Sequence, residues 1–88
     1  SIGLPDVWRN AKQGKGNVLV VERDLAQPAF LTNDGYQLWL SLPAEKHEVL
    51  SDGVDDLIEL VLSMDGKVQF VENGKLKEFN GVAMIHRY

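Results

Sequence analysis

Residues 51–66, SDGVDDLIELVLSMDG, carry the pattern on which the fold prediction depends. Apolar residues recur in this stretch at intervals of three and four, which is the spacing of one buried stripe on an α-helix. Ser51 is a good residue to cap the start of such a helix, and Gly66 is predicted to end it as a left-handed C-cap. The apolar residues of the stripe are Val54, Leu57, Ile58, Val61 and Leu62, with Leu60 and Met64 at its margins. The pattern predicts an amphipathic helix that lies across a sheet.

Strand patterns follow this helix. Residues 67–72 are rich in β-branched and aromatic side chains and end at the turn-forming pair Asn73-Gly74. A polar connection over residues 75–81 is predicted next, with Leu76 and Phe79 as its apolar anchors. The chain is then predicted to close with a strand over residues 82–88.

A helix, a strand and a hairpin are predicted before the helix of residues 51–66. Apolar spacing after Pro5 predicts a short helix that stops near Gly14, with Leu4, Val7, Trp8 and Ala11 on its buried side. Residues 17–22 are predicted as a strand, and the unbroken apolar run over residues 18–21 within it is typical of a central strand covered on both faces. Residues 28–42 are predicted as a hairpin about the turn residues 33–35, whereas residues 44–50 receive no assignment. The fold class is therefore α/β, with a mixed sheet and helices packed on its faces.

Composition limits the class of protein. The chain has 88 residues and a mass of 9.8 kDa, which predicts a single domain over residues 1–88. It has no cysteine, which excludes a disulfide scaffold and a thiolate zinc site. The apolar run of residues 18–21, which no other run exceeds, is far shorter than the roughly 20 residues that span a bilayer. We expect a cytoplasmic protein without membrane contact.

The sequence contains no arrangement of residues typical of a catalytic site. Gly14-Lys15-Gly16 precedes a strand, whereas a phosphate-binding loop follows a strand and opens a helix. His47 and His86 have no ligand spacing around them, and the acidic residues of the central helix belong on its polar face. We therefore predict no catalytic residue, no metal, no cofactor and no small-molecule substrate.

Three aromatic residues of the predicted hairpin, Phe30, Tyr36 and Trp39, are the candidate partner interface. Alternate residues of a hairpin also face the core, and core packing of these rings is the more common outcome. The two interpretations remain open at this point.

The order of motifs resembles a known family. Residues 54–61, then residues 66–71, then the closing Gly81-Val82-Ala83-Met84-Ile85-His86-Arg87-Tyr88 resemble the C-terminal third of archaeal and eukaryotic peptide-chain release factors. In that family a helix leads through a glycine into a strand, and the chain closes on Gly-Ile-x-x-Ile-Leu-Arg-Tyr. The first helix and strand, from Asp6 to Glu22, are most similar to the bacterial relatives of the family. His86 and Val82 depart from it, since Leu and Ile are usual there.

The resemblance implies a fold, a setting and a partner. The fold is that of the kink-turn-binding ribosomal proteins, and the function is that of a non-catalytic interaction domain in translation, at the ribosome. In whole release factors this domain contacts a GTPase, so the expected partner is a translational GTPase or the ribosome. Because the chain begins with Ser1, we expect it to be the C-terminal fragment of a longer protein.

The alternative is an RNA-binding module of the same fold. Residues 66–88 hold four basic residues against two acidic ones, although the whole chain has a net charge of -4. Binding to structured or ribosomal RNA depends largely on basic contacts to phosphates. The candidate contacts are Lys67, Lys75, Lys77 and Arg87, with Lys12 and Lys15 assisting.

Overall fold

A computed structural model describes residues 3–14 and 16–86, and the backbone forms two α-helices, six strands and one short 3-10 helix in them. The predicted closing strand is present, but Arg87 and Tyr88 lie outside the described residues. The elements are α1 (Leu4–Lys12), β1 (Gly16–Glu22), β2 (Ala29–Thr32), β3 (Leu38–Trp39), β4 (His47–Leu50), α2 (Gly53–Ser63), β5 (Lys67–Val71), the 3-10 helix (Lys77–Phe79) and β6 (Val82–His86).

The strands form two sheets rather than one. The first is mixed, with β1 in the centre, parallel to β5 on one side and antiparallel to β6 on the other. The second is antiparallel, with β2 between β3 and β4. The α/β class and the mixed sheet are confirmed. The predicted hairpin also forms, but it belongs to the second sheet because residues 47–50 supply its third strand.

Both helices pack on one face of the mixed sheet. Leu19 and Val21 of β1 are fully buried beneath them, as are Leu57 of α2 and Val7 of α1. The opposite face of β1, formed by Val18 and Val20, is only half-buried. Of the two faces of β1 that were predicted to be covered, the described residues bury one fully and the other partly, and they place the hydrophobic core on the first.

The buried stripe of α2 is confirmed in its main positions. Val54, Leu57 and Val61 are buried, and Ile58 packs against them half-buried. Leu62, which the spacing also placed in the stripe, is 55% exposed. The stripe is therefore narrower than the sequence pattern predicts, and it is directed at β1 and β5.

The ends of α2 lie one residue away from the predicted caps. The carboxylate of Asp52, not Ser51, accepts the backbone N–H of Val54 at 3.0 Å. At the other end the left-handed residue is Asp65, with φ of 63°, and not Gly66. The Gly66 N–H still donates to the Val61 carbonyl at 2.9 Å and the Asp65 N–H to that of Leu62 at 3.3 Å, which together form a Schellman motif.

Candidate protein-interaction surface

The outer face of the antiparallel sheet carries a set of apolar and aromatic side chains, which we call the aromatic face. Phe30 of β2 lies directly opposite Trp39 on β3 and opposite Val49 on β4, so the three side chains share one face of the sheet. Trp39 is 40% exposed and Val49 is 69% exposed. This face combines two rings and a β-branched side chain that the described part of the protein leaves accessible.

Strand alternation fixes which residues reach this face. Ala29, Leu38 and Leu50 point the other way and are buried in the core. His47 completes the aromatic face, since its ring meets Phe30 edge to face with centroids 5.5 Å apart. The Nδ1 of His47 donates to the Glu45 carbonyl at 2.8 Å, which fixes the orientation of the imidazole. The packing of these three residues in the core therefore fixes the position of the strands that carry the aromatic face.

The hairpin turn is tied to α1. Gly35 has a positive φ of 78°, as such a turn requires, and its carbonyl accepts the Trp8 Nε1–H at 2.9 Å. Trp8 is itself buried in the core. Helix α1 thus sets the position of the hairpin relative to the mixed sheet.

Asp34 organises the same turn. Its carboxylate accepts the Thr32 hydroxyl at 2.6 Å and the Tyr36 backbone N–H at 2.9 Å. These bonds, with that from Thr32 contributing most and the charge of Lys12 adding a little, lower the pKa of Asp34 from its ordinary value. The charged form of Asp34 therefore stabilises the turn.

A cleft of about 500 Å³ opens between the start of α1 and the β3 segment. Trp39 lines it together with Pro5 and Arg9 of α1. The rest of its wall is formed by Gln37, Leu38, Leu40 and Ser41. Arg9 also pairs with Asp6 one turn earlier. Arg9 is the one ionisable side chain among the residues that line the cleft. The cleft therefore suits an apolar side chain of a partner that also places a hydrogen-bond acceptor near the Arg9 guanidinium.

The structure brings together two of the three predicted interface residues. Phe30 and Trp39 are cross-strand neighbours, whereas Tyr36 lies at the turn, 51% exposed, with the Lys12 ammonium 5.8 Å from its ring centre. Sequence reasoning missed Val49 and His47, because residues 44–50 received no assignment. Residues 47–50 read His-Glu-Val-Leu, with two polar residues before two apolar ones, so they lack the alternating pattern that would have predicted a strand.

The predicted RNA contacts do not form one group. Lys67 begins β5 opposite Val18, whereas Lys75 and Lys77 follow the other end of that strand. There the Glu22 carboxylate accepts the Leu76 N–H at 3.0 Å, and Asp24 accepts a hydrogen bond from Asn73. The basic side chains at this end therefore lie among acidic ones. Arg87 lies outside the described residues.

The residues described contain no group of three or more His, Cys, Asp or Glu side chains that could hold a metal ion. Neither of the α-helices in this part of the chain has the length and apolar character needed to cross a membrane.

Comparisons with known proteins show a solved structure that has a similar fold. The structure is similar to the C-terminal domain of peptide chain release factor from Methanosarcina mazei, with a TM-score of 0.70 and 23% sequence identity. The similarity covers 100% of this chain and 69% of that chain. No protein-family model matches the sequence, and no curated protein gives a significant match. The predicted resemblance is thus confirmed at the level of the fold.

Proposed function

We propose that this chain is a non-catalytic C-terminal interaction domain of a release-factor-like protein and acts in translation by binding a protein partner through its aromatic face. The similarity of fold over the whole chain supports the setting in translation. The exposure of Trp39 and Val49 beside Phe30 supports the protein contact, and it is the observation that carries the proposal. The expected partner is a translational GTPase or a ribosomal protein.

The composition of the aromatic face suits this role. Tryptophan and tyrosine contribute most often to the binding energy of protein interfaces, where a ring enters a pocket of the partner. Trp39 has such a position, since it borders the cleft beside Arg9. A partner that buries Trp39 and Val49 removes apolar area from water, at about 25 cal/mol per Å² before the costs of association.

Protein binding is favoured over RNA binding by the placement of charge. Lys67 is separated from Lys75 and Lys77 by the length of β5, and the latter two adjoin Glu22, Glu72 and Glu78. A phosphate backbone is bound best by basic residues that follow one continuous stripe. The net charge of -4 also opposes a nucleic-acid partner.

The test is the association of the full-length protein with ribosomes and translational GTPases of its source. We expect Trp39→Ala to weaken that association by about tenfold or more. Phe70→Ala is the matched control, because Phe70 is 50% exposed on a different sheet, and it should change nothing. Equal association of the two variants would contradict the proposal. Loss of binding on joint replacement of Lys67, Lys75 and Lys77 by Gln, with a steep dependence on salt, would favour RNA instead.

A further inference from the structure

Strand β3 forms an outer edge of the antiparallel sheet, with backbone groups directed away from its neighbour β2. In this strand pair the Thr32 N–H donates to the Gln37 carbonyl at 3.0 Å. Successive residues of an antiparallel strand direct their N–H and C=O groups alternately toward the partner strand and away from it. Because Leu38 follows Gln37, its N–H and C=O point to the outer edge of the sheet. Neither group has a hydrogen-bond partner among residues 3–14 and 16–86.

The cleft beside α1 follows this same edge. The consecutive residues 37–41 line it on one side, and Pro5 and Arg9 line it on the other. An extended peptide of about five residues is long enough to follow such a wall. Trp39 and Leu40 are 40% and 49% exposed, so apolar surface is accessible along the cleft. Peptides that add a strand to a sheet gain affinity from backbone hydrogen bonds and specificity from pockets for alternate side chains, and this edge offers both.

The other strand edges in the described part of the chain are less suited to a peptide. Strand β4 exposes Glu48 and β5 begins with the exposed Lys67, and charged residues on edge strands oppose pairing with another chain. On β6 the Val82 carbonyl already accepts the Gly3 N–H at 3.3 Å. Strand β3, by contrast, consists of two apolar residues and carries no charge.

We propose that an extended segment of the partner protein pairs with β3 as an antiparallel fourth strand, with an apolar side chain in the cleft and an Asp or Glu beside Arg9. This inference rests on the proposed function, since it specifies how the partner of the aromatic face binds. One residue of the segment accepts the Leu38 N–H and donates to the Leu38 carbonyl. Its side chain lies on the same side of the sheet as that of Leu38, toward α1 and the cleft, and its two neighbours lie on the side of Trp39.

Arg9 determines the charge of the segment. It is the one ionisable side chain among the residues that line the cleft. Its guanidinium has five N–H donors, of which Nη2 donates to Asp6, so it can bind a second carboxylate as well. A segment with an acidic residue near its apolar residue therefore complements the cleft.

The test uses a phage-displayed library of random peptides of about seven residues, selected on the full-length protein. We expect the selected peptides to share an apolar residue close to an Asp or Glu. Their binding should slow hydrogen exchange of the Leu38 amide by about tenfold or more, because an amide in a strand pair exchanges only when the pair opens. The Val49 amide is the control, since it points to the free edge of β4 and should exchange at the same rate with and without peptide.

Substitution tests the charge requirement. We expect Arg9→Gln to weaken binding of the selected peptides by about tenfold, which is the effect of losing one charge-assisted hydrogen bond. Lys67→Gln is the matched control, because Lys67 lies on the mixed sheet, and it should leave the affinity unchanged. Equal affinities of the two variants would refute the pairing of the peptide with Arg9.

Failure to select any peptide, or binding that leaves the exchange of the Leu38 amide unchanged, would overturn the inference. Slow exchange of this amide in the free full-length protein would also overturn it, because another segment would then occupy the edge. The outcome is separable from that of the proposed function. Weakened ribosome association of Trp39→Ala with unchanged exchange at Leu38 would support the protein contact and refute strand pairing, whereas slowed exchange with unaltered ribosome association of Trp39→Ala would support strand pairing and refute the proposed function.

Discussion

Asp52 accepts two backbone hydrogen bonds, from Val54 at 3.0 Å in the first turn of α2 and from Gln27 at 3.1 Å in the loop before β2. It therefore joins the helix to the antiparallel sheet as well as capping it. We expect Asp52→Ala to lower the free energy of unfolding by about 1–2 kcal/mol. Ser51→Ala, one residue earlier, should change it by less than about 0.5 kcal/mol. Urea denaturation measures both, and equal effects would contradict the assignment of the cap.

Asp34 gives the pH dependence expected at the hairpin turn. Since its folded pKa lies below the ordinary value of 3.8, its contribution to stability is complete above that pH and is lost as the pH falls through the lower folded value. Thr32→Val removes the main donor and should raise the pKa of Asp34, as carboxyl NMR titration will show. Lys12→Met should move the pKa less, because the charge of Lys12 contributes least. A larger effect of Lys12→Met would contradict this order.

Single positions at helix ends were the least predictable from sequence. Ser51 and Asp52 are adjacent residues that both favour N-cap positions, and only the second reaches the Val54 N–H. Asp65 and Gly66 are likewise adjacent, and the pattern of side chains does not determine which of the two has the left-handed backbone. The turn at residues 33–35 was predictable because its residues and spacing favour one geometry.

At the scale of elements, α2 packs against α1 and against strands β1 and β5 of the mixed sheet. Leu57 is fully buried, whereas Leu62 on the same helix is 55% exposed. We expect Leu57→Ala to lower the free energy of unfolding by about 2–5 kcal/mol, since it leaves a cavity against β1. Leu62→Ala removes the same atoms from a solvent-facing position and should cost less than about 1 kcal/mol. Thermal unfolding compares the two variants, and similar losses would contradict the orientation of α2.

The predictable elements were those with a long periodic pattern. Helix α2 and strands β1, β5 and β6 each have enough apolar residues to define a period, and all four form where they were predicted. Strand β4 has only four residues, His47–Leu50, with two of them charged or ionisable at its start. Its pairing with β2 depends on contacts distant in sequence, so no local signal assigns the hairpin to a separate sheet.

At the scale of the whole molecule, β1 carries apolar side chains on both of its faces, and this pattern predicted that both faces would be buried. Burial on one side is observed, and the sequence does not state which element covers the other. The same limit applies to the aromatic face. A pattern of side chains indicates that a surface is suited to burial, but core packing and partner binding select similar residues. Only the fold shows that Leu38 is buried in the core whereas the neighbouring Trp39 is exposed on the aromatic face.

The most direct measurement of the proposed function is site-specific photo-crosslinking of the full-length protein in its source cells. A benzophenone amino acid replaces Trp39 on the aromatic face and, as the control, replaces Phe70 on the mixed sheet. We expect the probe at residue 39 to form an adduct with a ribosomal protein or a translational GTPase, and the probe at residue 70 to form none with that partner. Adducts from residue 39 only with proteins outside translation, or the same partner captured equally from residue 70, would contradict a role of the aromatic face in translation.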